Sequence, residues 1–358
     1  MANIVINGKF LGAGLNGVHR TAAHYSSLLI EHGRAAGHNV RLVAPAAFAG
    51  DPEFPLLVPE RLPGRFGAGQ GWEMLTLPAL ARGALLVNFC NLAPVLHGNS
   101  VVMIHDAQTF LYPQDYTGRQ AAAYRALLPI IGRRARRVLT VSGFARESLA
   151  EHKVAARDKT EVVHNGTDHI HATAPDAAIL TKHGLAPGSY VMALGSAKGY
   201  KNLRRIFDAM AAPVPGGLRL VVAGGPAESA YRQRGWTAPD GTVFTGFVSD
   251  AELRALYENA AIFAFPSQTE GFGLPPVEAM HCGTPVIAAR AGAMPEVCGD
   301  AALLADPDDT AAWRSALAQL TESPELASRM TERGRSRASE LSWQAAGERL
   351  WQVIAPLL

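Results

Sequence analysis

Much of what would mark a specialised chain is missing from this sequence. Three cysteines in 358 residues, Cys90, Cys282 and Cys298, are odd in number and far apart. They build neither a disulfide framework nor a zinc site, so a reducing compartment, the cytoplasm, is the expected setting. No window nears the roughly 18 to 20 apolar residues that a membrane-spanning helix needs. The opening MANIVINGKF has too short an apolar run, and no basic leader, for a signal peptide, and none is expected. A formal net charge of +2 gives no reason to expect nucleic acid as a partner. The twelve histidines show no ligand spacing on a helix, so no metal site is expected.

What is present is a globular composition, 48% hydrophobic and 18% charged, in a chain long enough for two ordinary domains. Short apolar segments alternate with amphipathic ones, the pattern of parallel α/β layers. NIVIN, NVRLVAP, ALLVNF, SVVMIHD, RRVLTVS and TEVVHNG read as strands of a first half. The polar stretch TDHIHATAPDAA, near residues 168 to 185, reads as the domain boundary. SYVMALG, LRLVVAGG, TVFTGFV, AIFAFPS, PVIAAR and AALLAD then restart the pattern. A helix is expected over 18–36, and another over 250–260. In the second, Leu253, Leu256, Tyr257 and Ala260 form one buried stripe, and Ser249 with Glu252 matches a capping box.

Residues 12 to 17, Gly-Ala-Gly-Leu-Asn-Gly, spell a G-x-G-x-x-G. A dinucleotide fingerprint needs its first glycine at the end of the first strand and an acidic residue about 20 positions on. Here Gly8 to Leu11 intervene, and the next strand ends in Ala44-Pro45 without a carboxylate. A nicotinamide or flavin site is therefore not expected. A glycine-rich turn before a helix can still offer N–H groups to another phosphate.

The densest chemical signal is FPSQTEGFGLPPVEAMHCGTPVIA, residues 265 to 288. A strand ends in a loop carrying Glu270, Gly271, Phe272 and Gly273, and a helix begins around Pro275 and carries Glu278. The glycines let the backbone approach a ligand closely. The two carboxylates could hold hydroxyls on two parts of one ligand; the plainer alternative is a strand-to-helix turn with two solvated glutamates.

The run EGFGLPPVEAMHCGTPVIAARAGAMPEVCGDAALLADPDD resembles the signature of family 4 retaining glycosyltransferases of the GT-B fold, whose Glu-x7-Glu motif matches Glu270 and Glu278. The likeness extends through GHNVRLVAP, VVMIHD, RRARRVLTVSGFARESL, VVHNGTD, ALGSAKGYKNL and TGFVSDAELRALYENA. It implies an α/β fold of two Rossmann-like domains whose parallel sheets face across a deep cleft. Residues 1–170 would form the acceptor domain and 171–340 the nucleotide-sugar domain, with a C-terminal helix over 341–358 returning to the first. The resemblance implies a metal-independent hexosyltransferase with no cofactor, taking a nucleotide-sugar donor and a saccharide or lipid-linked saccharide acceptor in polysaccharide biosynthesis. NGKF…NGVHR and the HD region look most like bacterial polysaccharide-assembly transferases, and that resemblance leans towards mannose from GDP-mannose.

Residue by residue, the resemblance implies that Glu270 binds sugar hydroxyls and Glu278 the ribose. Backbone groups of Gly271, Phe272, Gly273 and Leu274 would meet the sugar or diphosphate. Lys201 would neutralise the diphosphate, with Gly195 and Ser196 in the diphosphate loop and Val248 in the nucleotide-side loop. His105, by pattern alone a structural histidine beside a core strand, would face the donor sugar. Asn16-Gly17 would close on the diphosphate; Gly17 is the stronger candidate, and Gly12 and Gly14 would lend flexibility. One departure stands out, because the family often has an arginine where this chain has Ser196. Lys198, Arg204 or Arg205 could substitute for it. The alternatives are a GT-B-fold sugar-nucleotide epimerase and a non-catalytic nucleotide-sugar-binding subunit of a transferase complex.

Three signals are set aside. Asp306-Pro-Asp308 is a D-x-D, but its place before a helix suits capping better than metal. Cys282 and Cys298 read as small buried residues. Arg133, Arg134, Arg136 and Arg137 read either as a solvated helix end or as a peripheral contact with anionic lipid at the membrane surface.

Overall fold

The structure, a computed structural model, describes residues 1–12, 17–50, 53–64 and 66–358. Of the opening glycine-rich motif, Gly14 and Asn16 lie outside the described residues. The chain divides into two compact units, Met1–Asn165 with Trp343–Leu358, and Gly166–Ser342. In the first, the strands are β1 Asn3–Asn7, β2 Asn39–Pro45, β3 Glu60–Leu62, β4 Leu85–Asn88, β5 Ser100–Met103, β6 Arg137–Thr140 and β7 Thr160–Val162. They pair in parallel in the order β3-β2-β1-β4-β5-β6-β7. In the second, β8 Tyr190–Leu194, β9 Arg219–Ala223, β10 Val243–Gly246, β11 Ile262–Phe265, β12 Val286–Ala289 and β13 Ala302–Ala305 pair in parallel as β10-β9-β8-β11-β12-β13.

Each segment read as a strand from the sequence contains one. The signal is strong because parallel strands with helices on both faces are buried on both faces and read as continuous apolar runs. Ile4, Val5 and Ile6 of β1 are all sealed from solvent, as are Val191 to Ala193 of β8. The sequence reading missed β3, whose three residues Glu-Arg-Leu carry almost no apolar signal. As an edge strand it needs little, and Arg41 of β2 pairs with its Glu60.

Local signals hold with small corrections. The first long helix runs Gly17–Ala35. The helix Asp250–Asn259 opens on a complete capping box: the Glu252 N–H donates to Ser249 Oγ at 3.2 Å, and the Ser249 N–H to Glu252 Oε2 at 2.8 Å. Its buried residues are Ala255, Leu256 and Tyr257, whereas Leu253 is half-buried and Ala260 lies beyond the helix in extended backbone. The stretch read as the boundary is part of the second unit. It holds the 3-10 turn Asp168–His171 and the helix Ala178–Lys182, with Ile170, Ile179 and Leu180 buried. The first unit therefore ends at Asn165 instead of 170, and the second at Ser342 instead of 340.

The helix Trp343–Ile354 completes the first unit. The Trp343 ring stacks on His24 with centroids 4.1 Å apart and planes 10° from parallel, and meets Tyr25 edge-on at 5.4 Å. Gly347 allows close approach, since a Cβ there would lie 2.9 Å from Leu28 Cδ2. Arg349 donates to Glu161 Oε2 at 2.8 Å, beside the edge of the sheet. Trp343→Ala is expected to lower stability by about 3–5 kcal/mol, as deletion of a buried aromatic does; a shift of the urea midpoint at unchanged slope measures this.

Candidate active site

In an open parallel sheet, ligands bind beyond the carboxyl ends of the strands where strand order reverses, because the loops there run to opposite faces and leave a crevice. In the second unit the reversal falls between β8 and β11. The loops after these two strands carry most of the predicted site residues: Gly195, Ser196 and Lys201 on one, Glu270 to Leu274 on the other.

The loop after β8 is fixed by backbone packing. A Cβ on Gly195 would lie 2.3 Å from the Gly224 carbonyl oxygen, and Gly225 at φ +75° abuts Gly195 in return. Gly224 and Gly225, by pattern the tail of a strand, are what lets two loops run backbone against backbone. Ser196 Oγ accepts from the Lys198 N–H at 3.3 Å. Asn202, left-handed at φ 53°, donates to the Pro266 and Pro307 carbonyls at 3.3 and 2.8 Å. That bracing sets Lys201, whose Nζ lies 2.7 Å from Glu270 Oε1 and over the rings of Tyr200 and Phe265 at 5.5 and 5.8 Å.

The reading of two solvated glutamates is overturned, because Glu270 and Glu278 are 9% and 7% exposed. The loop after β12 supports Glu270 from behind: the Ala293 N–H donates to the Glu270 carbonyl at 3.2 Å, and a Cβ on Gly292 would sit 2.6 Å from the Glu270 nitrogen. Phe272 is buried. Gly273, at φ +89°, caps the helix Leu274–His281. Helix first-turn N–H groups lack intrahelical partners, but Pro275 and Pro276 have none to offer, which leaves Leu274 as the leading donor of that turn.

Glu278 is held on both oxygens. His169 Nε2 lies 3.2 Å from Oε1, and the Tyr257 hydroxyl donates to Oε2 at 3.3 Å. Burial, and next the charge of Glu278, push the Tyr257 hydroxyl well above its ordinary range, so it stays a donor. Neither residue stood out in the sequence: Tyr257 reads as core, and His169 lies in the supposed boundary. A hydroxyl tip on an otherwise apolar helix stripe was the only available signal. Val248 is half-buried between β10 and the helix Asp250–Asn259, next to Phe247, which is 91% exposed.

His105 and Gly17 belong to the first unit. His105 follows β5, buried at 6% exposure. Its N–H donates to Asn91 Oδ1 at 2.8 Å, and Nε2 lies 2.8 Å from the Phe89 carbonyl oxygen. A carbonyl only accepts, so Nε2 carries the proton and Nδ1 keeps its lone pair. Burial lowers its pKa to about 4, leaving it neutral near pH 7. Gly17 is the exposed first residue of its helix. Gly12 does not serve flexibility, because a Cβ there would lie 2.1 Å from the Phe48 ring.

Among the proposed stand-ins for the family arginine, Arg204 sits 3.5 Å from Asp208, and Arg205 is held by the Pro307 carbonyl and Thr310 Oγ1. Lys198 points over Tyr200, the same ring that Lys201 covers, at 5.7 Å. The D-x-D is a turn in which the Asp308 N–H donates to Asp306 Oδ1 at 2.8 Å and Asp308 Oδ1 accepts from Gln268 Nε2 at 3.1 Å; Asp309, not Asp306 or Asp308, caps the following helix. Among the described residues no group of three histidines, cysteines or carboxylates is placed to hold a metal. Burial pushes the Cys282 and Cys298 thiols up to about 12. In the basic cluster, Arg136 donates to Asn99 Oδ1 and the Leu357 carbonyl at 2.9 and 2.8 Å, an internal role. Among the described residues no helix is long and apolar enough to cross a membrane. A groove of about 570 Å³ beside β13, reaching Arg290 and Gln319, contains none of the candidate residues.

Two Rossmann-like units, with buried carboxylates and a lysine at the strand reversal of the second, give the chain the GT-B fold of glycosyltransferases. Comparison with known proteins agrees: residues 16–170 match the model for Glycosyltransferase Family 4, and residues 182–337 that for Glycosyl transferases group 1. The chain belongs to this glycosyltransferase family. It is 30% identical over 263 residues to O-antigen chain mannosyltransferase B of Escherichia coli, covering 68% of this chain and 67% of that one. It is 29% identical to O-antigen chain mannosyltransferase RfbU of Salmonella typhimurium, covering 64% of this chain and 63% of the relative. The fold matches sucrose-phosphate synthase of Thermosynechococcus elongatus, with a TM-score of 0.73 at 21% identity over 100% of this chain and 99% of the other. It also matches Anabaena HepE solved with UDP and glucose, with a TM-score of 0.73 at 18% identity over 99% and 100%.

Two outcomes follow from this geometry. The pKa values of His105 and His281 both fall from 6.5 to about 4 on folding, chiefly by burial. Between those values the unfolded chain binds more protons, so stability is full above pH 6.5 and declines as pH falls towards 4. Urea unfolding across that window should show the slope, and His105→Gln should reduce it. Gly273→Ala forces a side chain into left-handed backbone and should cost about 1–2 kcal/mol, read as a lower melting temperature.

Proposed function

We propose that this glycosyltransferase moves mannose from GDP-mannose to a saccharide, with retention of configuration and without a metal ion, in the assembly of a cell-surface polysaccharide. The observation that carries the reading is the Lys201–Glu270 pair at the strand reversal, with Glu278 anchored on the helix that follows. The choice of sugar is supported by the names of the two O-antigen mannosyltransferase relatives.

Glu270 accepts hydrogen bonds from sugar hydroxyls, Glu278 from the ribose, and the N–H groups of Gly273 and Leu274 meet the diphosphate. As the bond between C1 and the phosphate oxygen breaks, charge grows on the departing diphosphate, and Lys201 stabilises it in place. The acceptor hydroxyl forms the new bond to C1 on the same face, and its proton passes to the leaving phosphate oxygen. Atoms and charge then balance without a side-chain base. Lys198, beside Lys201 on the Tyr200 ring, supplies the second positive charge that Ser196 does not.

The direct test is a thermal-shift series with GDP, UDP, dTDP, ADP and NAD, each without and with magnesium. GDP alone should stabilise, to the same extent in both conditions. Stabilisation by NAD only would sink the reading, and dependence on magnesium would remove its metal-free part. Glu270→Ala should lower kcat by about 10²-fold or more, as loss of a buried transition-state contact does. Lys198→Ala should weaken GDP binding by about tenfold, the scale of one charge-assisted contact, and Arg204→Ala should leave it unchanged.

A further inference from the structure

The rule that places the donor site in the second unit also applies to the first, where strand order reverses between β1 and β4. The carboxyl ends of these two strands are Asn7 and Asn88, both buried. Asn7 Nδ2 donates to Asn88 Oδ1 at 3.0 Å and to Glu73 Oε1 at 2.7 Å. Lys9 Nζ lies 2.7 Å from Glu73 Oε2. With its amide turned to satisfy both neighbours, Gln70 donates to Glu73 Oε2 at 2.8 Å and accepts from Lys9 Nζ at 2.9 Å. The side chain of Glu73 is 4% exposed, and that of Lys9 22%.

A buried carboxylate and a half-buried ammonium lose hydration that an apolar pair would not, so such a pair adds little to stability. Its position beside the crevice suggests recognition instead. Glu73 sits on one π turn, Trp72–Thr76, with the Leu77 N–H donating to the Trp72 carbonyl; π turns within helices are frequent at functional sites. An ammonium has three N–H bonds. Glu73 and Gln70 take two, and the exposed edge of Lys9 presents the third.

We propose that Lys9, Glu73, Gln70, Asn7 and Asn88 form the acceptor subsite, and that Glu73 makes it select an uncharged saccharide over a sugar phosphate. The inference deepens the transferase reading above and rests on it. A hydroxyl accepts from Lys9 and donates to Glu73. A phosphate drawn to Lys9 comes equally close to the Glu73 carboxylate, and the like charge repels it. Lys9 alone would attract anions; with Glu73 beside it the cluster is neutral.

The test uses the full chain saturated with GDP and measures binding by saturation-transfer NMR, with methyl α-mannoside as the neutral probe and mannose 6-phosphate as its charged counterpart. The wild type should bind the mannoside at least about tenfold tighter than the phosphate, the scale of one like-charge contact. Glu73→Gln keeps the shape and removes the charge; it should tighten mannose 6-phosphate by about tenfold or more and leave the GDP-induced thermal shift unchanged. Lys9→Gln should weaken methyl α-mannoside and serves as the second variant if Glu73→Gln does not fold. Equal preference in wild type and Glu73→Gln, tight phosphate binding by the wild type, or binding of neither sugar overturns the proposal. Absence of a GDP shift in the wild type counts against the donor reading, and the sugar comparison, repeated without GDP, still decides the acceptor site.

Discussion

The ion pair between Lys201 and Glu270 joins the two loops on which the second unit's site is built. These loops leave adjacent parallel strands at the point where strand order reverses, so covalent connection does nothing to hold them together. The pair's contact of 2.7 Å, over the rings of Tyr200 and Phe265, does so together with the Asn202–Pro266 and Gln268–Tyr200 hydrogen bonds. Everything nearby serves to keep both partners in register. Gly195 must lie flat on Gly224, Gly292 must let its loop press on the Glu270 backbone, and Asn202 must adopt left-handed backbone to hold two carbonyls. A charged pair at the mouth of a crevice is poor cement for a fold. In the proposed reading it meets a diphosphate and a sugar at once.

Glu278 shows a second form of the same arrangement. Its carboxylate is nearly buried, yet both oxygens have partners, a tyrosine hydroxyl from one helix and an imidazole from the turn that opens the unit. Those contacts fix its direction and leave lone pairs for the ribose hydroxyls of the proposed donor, since a carboxylate offers about four acceptor sites. In the first unit, His105 is treated likewise, its ring pinned by one carbonyl and its backbone by Asn91.

The sequence was legible where the physics is local. Continuous apolar runs reveal doubly covered parallel strands, Ser249 and Glu252 close a capping box within one turn, and Glu270 and Glu278 sit on one short segment. It was mute where function depends on partners far apart in the chain. Tyr257 looks like any core aromatic until its hydroxyl is seen beside Glu278. His169 looks like part of a polar linker. Glu73 looks like a surface residue, although its partners are Asn7 and Lys9, more than sixty positions away. The short edge strand β3 escaped for the opposite reason, because an edge needs little apolar surface and so leaves little pattern.

The claim on which the account turns is that the donor lies at the β8–β11 reversal, between Lys201 and the two glutamates. A crystal structure with GDP-mannose bound tests it most directly. The account predicts diphosphate oxygens within hydrogen-bonding distance of Lys201 Nζ, ribose hydroxyls on Glu278 and a sugar hydroxyl on Glu270. A nucleotide bound instead at the glycine-rich segment before Gly17, with the Lys201–Glu270 pair untouched, would contradict it.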